Sequence, residues 1–435
     1  MGFSALNNPV DTARAVLQGE HSVLAEVAAG IIRLRHDNFV ERPWGGDWIR
    51  RYKRVKGPET GQPRWGEAFE ISAYDADTEA RQFPSQLQFA DGSTLSLPEL
   101  LEAQGTALLG EKFVIQHGSC FPLLPKTLCV KELLSVQGHP PGNTEVYIII
   151  DAEPGATLRL GFSRDIDADE MSVALARGLE QQRELLGLLG ADVDGNELHA
   201  VTAPWFANPD QAEIDAAAWI ADRLTKQTAR ERASGLLTEL KTLYWKMLDS
   251  MNAIEVQAGQ VIYNATPARL LAETGGVASA EVHALGNPEG KEILALEIRR
   301  PGPTFRAWDN VRFPQREVDV DAAIQALNLR GSQPGEYIYE LAPVTGREGA
   351  WVSVDCEYFR VEHLKPESGL EVSVPASGPH ALHCLAGEAR FMAQDGRPIG
   401  ELSRGESAFV PAAVGAYRVA SDAPADIVRV TFPEG

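Results

Sequence analysis

The stretch Val130–Tyr147, VKELLSVQGHPPGNTEVY, decides how this chain is read. Pro140, Pro141, Gly142 and Asn143 cannot continue a helix or a central strand. The chain must reverse there, so the flanks read as two strands joined by a tight turn. Side chains alternate faces along a strand, which puts Ser135, Gln137 and His139 on one face. The reversal then brings Glu145 back to face them. An imidazole, a carboxylate and a carboxamide oxygen meeting at one spot suit a divalent metal. The same stretch taken alone also reads as a polar hairpin at a sheet edge.

Upstream, Phe121–Val130 (FPLLPKTLCV) is apolar except for Lys126 and Thr127. A lone buried ammonium is costly, so Lys126 either reaches solvent or faces a polar cavity. Lys131 is expected on the Ser135/Gln137/His139 face. Glu41–Lys53 (ERPWGGDWIRRYK) reads as a tight bend before a strand, and Trp65–Ser72 alternates as a strand. Residues 9–35 carry apolar side chains at helical spacing, including Val16, Val23, Val27 and Ile31. They predict a helical arm broken near Gly19. Pro98–Gly110 reads as a short helix.

Downstream, Ala156–Gly161 is a strand, and then the period changes. Asp169–Leu189 and Pro209–Met251 predict two helices, with Asp210 as an N-cap and a loop near Ala203–Pro209. Strands return at Ala253–Tyr263, Ala280–Gly286, Glu292–Arg300 and Thr304–Asp309. Within these lie His283, Glu297 and Arg306. A lone histidine in a strand is usually a surface or core residue, but His283 would complete a four-ligand set with Gln137, His139 and Glu145. Glu292–Arg300 is expected to alternate, with Glu297 opposite its apolar members. Residues 319–329 predict a short helix. From Trp351 onward the short strands and turns fit an antiparallel jelly roll. His380 and His383 there read as a solvated pair, and this second sandwich as metal-free.

The 435 residues suffice for two or three domains, and the 39 glycines and 27 prolines suit a turn-rich β fold. A net charge of −21 argues against general nucleic-acid or anionic-membrane binding. An anionic small substrate would need a local Lys/Arg cluster. The four cysteines lack CxxC spacing, and reduced core thiols in a cytoplasmic protein are the default expectation. No apolar stretch approaches membrane-spanning length, and no secretory signal is evident.

Taken together, PWGG (43–46), WGEAFEIS (65–72), FPLLPKTLCVKELLSVQGHP (121–140) and NTEVY (143–147) resemble type I phosphomannose isomerases. VHALG (282–286), LALEI (294–298) and TFRAWD (304–309) extend the resemblance over most of the chain. It implies a mainly β fold of two jelly-roll (cupin) β-sandwich domains plus a helical insertion. The expected segments are an arm at 1–36, a metal-binding cupin at 37–162 and 251–330, an insert or lid at 163–250, and a metal-free cupin at 331–435. The family interconverts mannose 6-phosphate and fructose 6-phosphate with a bound zinc. The resemblance implies one zinc held by Gln137, His139, Glu145 and His283, with Arg306 and Glu297 as the catalytic candidates. Lys126, Lys131, Ser135 and Trp44 are the substrate-binding candidates, and the partner expected is a small-molecule sugar phosphate; the oligomeric state stays open, with a monomer plausible.

The sequence departs from the family pattern at several points. Asn143 stands where the family usually has Lys, and Gly302-Pro303 where it has Ser-Asp. The loop from His139 to Glu145 is short, and Asn264–Gly276 looks inserted. These departures leave open another sugar or sugar phosphate, or a sugar-binding cupin without turnover. A different metal enzyme on the same scaffold, such as an oxygenase, also stays open.

Overall fold

In the computed structural model the reversal at Pro140–Asn143 does not make a hairpin. It carries the chain from one sheet to the sheet that faces it. The structure describes residues 11–56, 64–74, 78–190, 193–202, 208–273, 275–309 and 318–433. Strands in the first half are β1 (Ile32–Arg33), β2 (Phe39–Gly46), β3 (Trp65–Phe69), β4 (Gln86–Gln88), β5 (Thr94–Ser96), β6 (Lys126–Val130), β7 (Val136–Gly138), β8 (Glu145–Ala152) and β9 (Thr157–Phe162). Next come β10 (Met251–Glu255), β11 (Val261–Asn264), β12 (His283–Ala284), β13 (Ile293–Arg299), β14 (Phe305–Trp308) and β15 (Ile338–Tyr339). The remainder are β16 (Ala342–Pro343), β17 (Ala350–Asp355), β18 (Arg360–Leu364), β19 (Val372–Val374), β20 (His380–Ala386), β21 (Glu388–Ala393), β22 (Pro398–Ser403), β23 (Ser407–Val410), β24 (Tyr417–Ala420) and β25 (Asp426–Thr431).

One sheet runs β15-β11-β8-β13-β6-β2-β3, and the sheet facing it runs β10-β9-β12-β7-β14. Between them lies an apolar core that includes Trp44, Leu128, Val130, Ile149, Leu160 and Ala295. The second sandwich pairs the sheet β1-β23-β20-β25-β18-β17-β16 with β19-β24-β21-β22. Its core includes Leu364, Leu382, Phe391, Leu402 and Tyr417. The two larger sheets also pack back to back. Val146, Ile148, Leu296 and Ile298 meet Val361, Ala381, Phe409 and Val430 across a third core. Strands covered on both faces read as continuous apolar runs. That is why all seven residues of β13 are buried, where alternation was expected.

The outer face of the smaller first sheet is covered by helices. These are α1 (Ala168–Leu189), α2 (Gly195–Thr202), α3 (Pro209–Arg223) and α4 (Gln227–Asp249). Leu175, Leu185, Leu236 and Leu240 pack on Val136, Phe162, Ala284 and Ala307. Among its described residues the block therefore has four helices where two were expected, and Met251 already belongs to β10. The loop expected near 203–209 lies largely outside the described residues. Asn208, not Asp210, takes the N-cap position, because Pro209 opens the helix. Gly178 sits mid-helix in α1, where glycine costs about 1 kcal/mol relative to alanine. The reason is contact: a Cβ there would lie 2.1 Å from the ring of Trp308, which stacks on Tyr244 at 5.9 Å.

Two local expectations change for long-range reasons. The arm is helical at 12–17 and 21–28 and breaks at Gly19 (φ +71°), but Ile32–Arg33 then pairs with β23. The bend at Pro43–Gly46 ends β2 and leads into the helix Trp48–Tyr52, not into a strand. Glu292, distant in sequence, accepts from the Asp47 and Trp48 amides at 2.6 and 2.7 Å and so starts that helix. His380 and His383 are not solvated. They are 1% and 3% exposed and lie on opposite faces of β20. His380 meets the Tyr417 hydroxyl (2.8 Å), and His383 meets Tyr52 (2.8 Å) and Ser407 (2.7 Å).

Gly178→Val is expected to lower stability by about 1–3 kcal/mol in a denaturant melt, because Trp308 cannot yield the space. Burial lowers His380 and His383 to about 3 and about 4, against 6.5 when exposed. Both histidines therefore stay neutral in the folded chain, and the unfolded chain binds more protons below pH 6.5. The stability they contribute is complete above pH 6.5. It falls by up to about 1.4 kcal/mol per pH unit for each group as the pH drops from there toward 4. Denaturant melts across pH 4–7.5 test this, and a flat profile would contradict it.

Candidate metal centre

The inner faces of the first sandwich change character along the strands. At one end they are apolar, and at the other they are polar and buried. Strand β8 enters at this polar mouth with Glu145, and β12 enters with His283 directly across the ladder from Gln137 on β7. His139 follows β7 by one residue. Glu145, His139 and His283 are each 1% exposed. One ligand atom from each lies within 4.8 Å of the other two. The His139 and Glu145 pair stands at 2.8 Å (Nε2 to Oε1), and His283 Nε2 is 3.4 Å from Glu145 Oε2.

The ring nitrogens pointing away from the cluster are already engaged. His139 Nδ1 is 3.1 Å from the Pro303 carbonyl, and His283 Nδ1 is 2.8 Å from the Glu281 carbonyl. An N–H donated to each carbonyl leaves both Nε2 lone pairs facing Glu145. His139 Nε2 is buried and has no aligned hydrogen bond, despite its short distance to the carboxylate. Burial pushes the His283 ring down, toward the neutral form a ligand needs. Burial alone would raise Glu145, but the two imidazoles hold it well below the usual carboxylate range. Two imidazoles beside one carboxylate suit zinc, so these residues fit such an ion. Gln137 is the fourth candidate. Its amide nitrogen is 3.1 Å from His283 Nε2, and its oxygen accepts from Ser135 Oγ at 3.1 Å. Turning the amide over presents the oxygen instead.

Arg306 stands opposite Gln137 on the neighbouring strand β14 and so shares its face. Glu297 lies on the same inner face, opposite both Tyr147 and Lys126. Lys126 does not reach solvent. It is 4% exposed and sits between Glu67 (3.3 Å) and Glu297 (3.4 Å). Arg42 holds the other Glu67 oxygen at 2.6 Å. Burial raises Glu297, against the pull of Lys126.

Two sequence candidates are not brought to this mouth. Lys131 lies beyond the far end of β6, about 16 Å of strand from Lys126, and pairs with Asp47 at 3.5 Å. Trp44 is 3% exposed and packs in the apolar core, with its carbonyl accepting from the Lys131 amide. Both belong to the apolar end of the sandwich because β6 passes through its whole depth.

Sequence reasoning missed Asn264, Tyr147 and Glu67. Asn264 is wholly buried at the end of β11. It donates to Glu145 Oε2 (3.1 Å) and accepts from the Glu281 amide (2.8 Å). The Tyr147 hydroxyl also donates to Glu145. A polar residue ending the apolar run VIYN is a weak signal that gains meaning only when the strand is placed. The two departures from the family pattern face each other, since a Cβ on Gly302 would lie 3.0 Å from the Asn143 amide nitrogen. Asn264→Ala should weaken zinc binding about 10- to 100-fold, measured by competition with a chelator, because Glu145 loses a fixed partner.

No protein-family model and no curated protein matches the sequence. Solved structures do match. Mannose 6-phosphate isomerase from Bacillus subtilis is 19% identical, covers 93% of this chain and 100% of its own, and has a TM-score of 0.60. A mutant phosphomannose isomerase from Salmonella typhimurium is 16% identical over 93% of this chain and 100% of its own, with a TM-score of 0.57. A mannose 6-phosphate isomerase bound with zinc and yttrium gives 16%, 93%, 100% and 0.56. The chain thus has the fold of these solved mannose 6-phosphate isomerases, two β-sandwiches with a helical block set on the first.

Proposed function

We propose that this chain is a zinc-dependent aldose–ketose isomerase interconverting mannose 6-phosphate and fructose 6-phosphate. The observation that carries the reading is the convergence of His139, Glu145 and His283, from three separated stretches, within 4.8 Å and out of solvent. Gln137 is the fourth ligand in this reading. The likeness to solved mannose 6-phosphate isomerases over 93% of the chain supports it. The reading extends to a cytoplasmic monomer acting on a sugar phosphate.

Moving a proton between adjacent sugar carbons needs the neighbouring carbonyl polarised, and Lewis-acid polarisation is what bound zinc supplies. Glu297 takes and returns the proton. Burial raises its pKa, which makes it a stronger base than an exposed glutamate. Lys126 keeps that carboxylate paired in a buried setting. Arg306, across from Gln137, places a permanent positive charge toward the oxygen that gains negative charge. Ser135 orients Gln137 through its 3.1 Å hydrogen bond.

A second reading has an observation behind it. Asn143, which stands where the family pattern has Lys, faces Gly302, whose neighbour Pro303 stands where the pattern has Asp; the loss of both charges favours another sugar or sugar phosphate for the same chemistry. A coupled assay across mannose 6-phosphate and related sugars, with zinc measured on the same sample, separates the two. Activity on none of them would refute both. His139→Ala or His283→Ala should lose bound zinc, and unchanged stoichiometry would reject the ligand set. Glu297→Gln is expected to lower kcat by about 10²- to 10⁴-fold. In the unmutated chain kcat/KM should fall with acid through an inflection above 4.5, the ordinary glutamate value.

A further inference from the structure

The second sandwich repeats the first strand for strand. The order β11-β8-β13-β6 corresponds to β23-β20-β25-β18, and β10-β9-β12-β7 corresponds to β22-β21-β24-β19. Register carries the match to single residues. Gln137 faces His283 as Val374 faces Tyr417. Lys126 faces Glu297 as Glu362 faces Arg429. Glu145 and His380 each open the strand between. The metal ligands are therefore replaced by His380, Tyr417 and Val374, and the buried ion pair has its charges exchanged.

This exchange turns a mouth suited to a cation into one suited to an anion. Three guanidiniums converge on Glu362. Arg429 donates to its Oε2 at 2.8 Å, while Arg347 and Arg360 donate to its Oε1 at 2.9 and 3.0 Å. Asp355 takes up a further Arg360 donor. Three positive charges against two negative leave a local excess of one in a chain of net −21. Donors remain unused as well. Arg429 is 3% exposed, and its Nε has no acceptor; neither does Arg347 Nη2. Arg429 Nη2 already donates to Ser377 Oγ (2.7 Å), and Arg347 Nε to the Ser373 carbonyl (3.1 Å), so both forks are fixed in place. Ser373, Ala376 and Gly378 at this end are exposed, while the two spare donor atoms themselves are buried behind them. Burial and Arg429 hold His380 at about 3, so it adds a neutral ring rather than a fourth charge.

We propose that the mouth of the second sandwich, where Arg347, Arg360 and Arg429 surround Glu362, binds a phosphate group, free or carried on a small ester. Fixed guanidinium forks with spare donors match the oxygens of a phosphate and pair with them through charge-assisted hydrogen bonds. The site is separate from the centre of the first sandwich and does not depend on the isomerase reading.

Calorimetric titration of the full zinc-loaded chain with inorganic phosphate, and separately with glycerol 3-phosphate, tests this. Binding of either is expected, and the stronger of the two names the natural source. Arg347→Gln should weaken it at least about tenfold, the loss of one charge-assisted contact. Arg306→Gln, in the first sandwich, should leave it in place. Arg347 lies at the rim, and a circular-dichroism melt verifies folding. Arg360→Gln gives a second reading should that variant not fold. The proposal is overturned by no binding of either anion, by binding that survives both rim variants, or by binding lost in Arg306→Gln. Isomerase activity is not read in any arm, so failure here and failure of the enzymatic reading stay distinct.

Discussion

A carboxylate cannot stay ionised inside a protein without partners, and Glu145 is the point at which that constraint bears hardest. Its oxygens meet His139, His283, Asn264 and Tyr147, drawn from four strands or strand ends. These partners also fix one another. The Pro303 and Glu281 carbonyls set the imidazoles, and Asn264 ties Glu145 to the backbone beneath His283. A buried polar set of this kind is stable only when it is nearly complete. The sandwich around it supplies the completeness by closing two sheets over the mouth.

The same logic governs the layers beyond. Each large sheet is apolar on both faces, because one face meets its own partner sheet and the other meets its counterpart in the other sandwich. Two lysines that fall in these interiors are each matched by carboxylates. Lys126 lies between Glu67 and Glu297. Lys53 pairs with Glu70 at 2.5 Å in the layer between the sandwiches, where Glu70 also accepts from Ser407 at 2.7 Å. Such pairs add little net stability over apolar residues of similar size, but removing one member is costly. They fix how the two sandwiches meet.

The two sandwiches share a topology and differ in the chemistry of their mouths. A fold does not determine a function, and here one chain shows the point twice. In the first, two histidines and a glutamate converge. In the second, the corresponding strand positions hold a tyrosine, a neutral histidine and an arginine–glutamate pair of reversed order. The divergence lies in a handful of inward-facing residues at strand ends. The apolar remainder of each core is free to vary, provided it still fills the space.

The sequence by itself determined the strand-rich character, the helical interruption and the identity of the ligand candidates. Those rest on local signals: the proline–glycine reversal after His139, the change of period after Gly161, and short polar positions in apolar runs. Only the tertiary structure decided that Val136–Gly138 and Glu145–Ala152 lie in facing sheets rather than one hairpin. It also decided that Lys126 is sandwiched by carboxylates, that Lys131 and Trp44 sit at the opposite end, and that Asn264 supports Glu145. Periodicity records which face a residue is on, but not which end of a closed sandwich it occupies or what approaches it from another strand. Those depend on register between segments more than a hundred residues apart, where the burial of partner and charge together sets the answer.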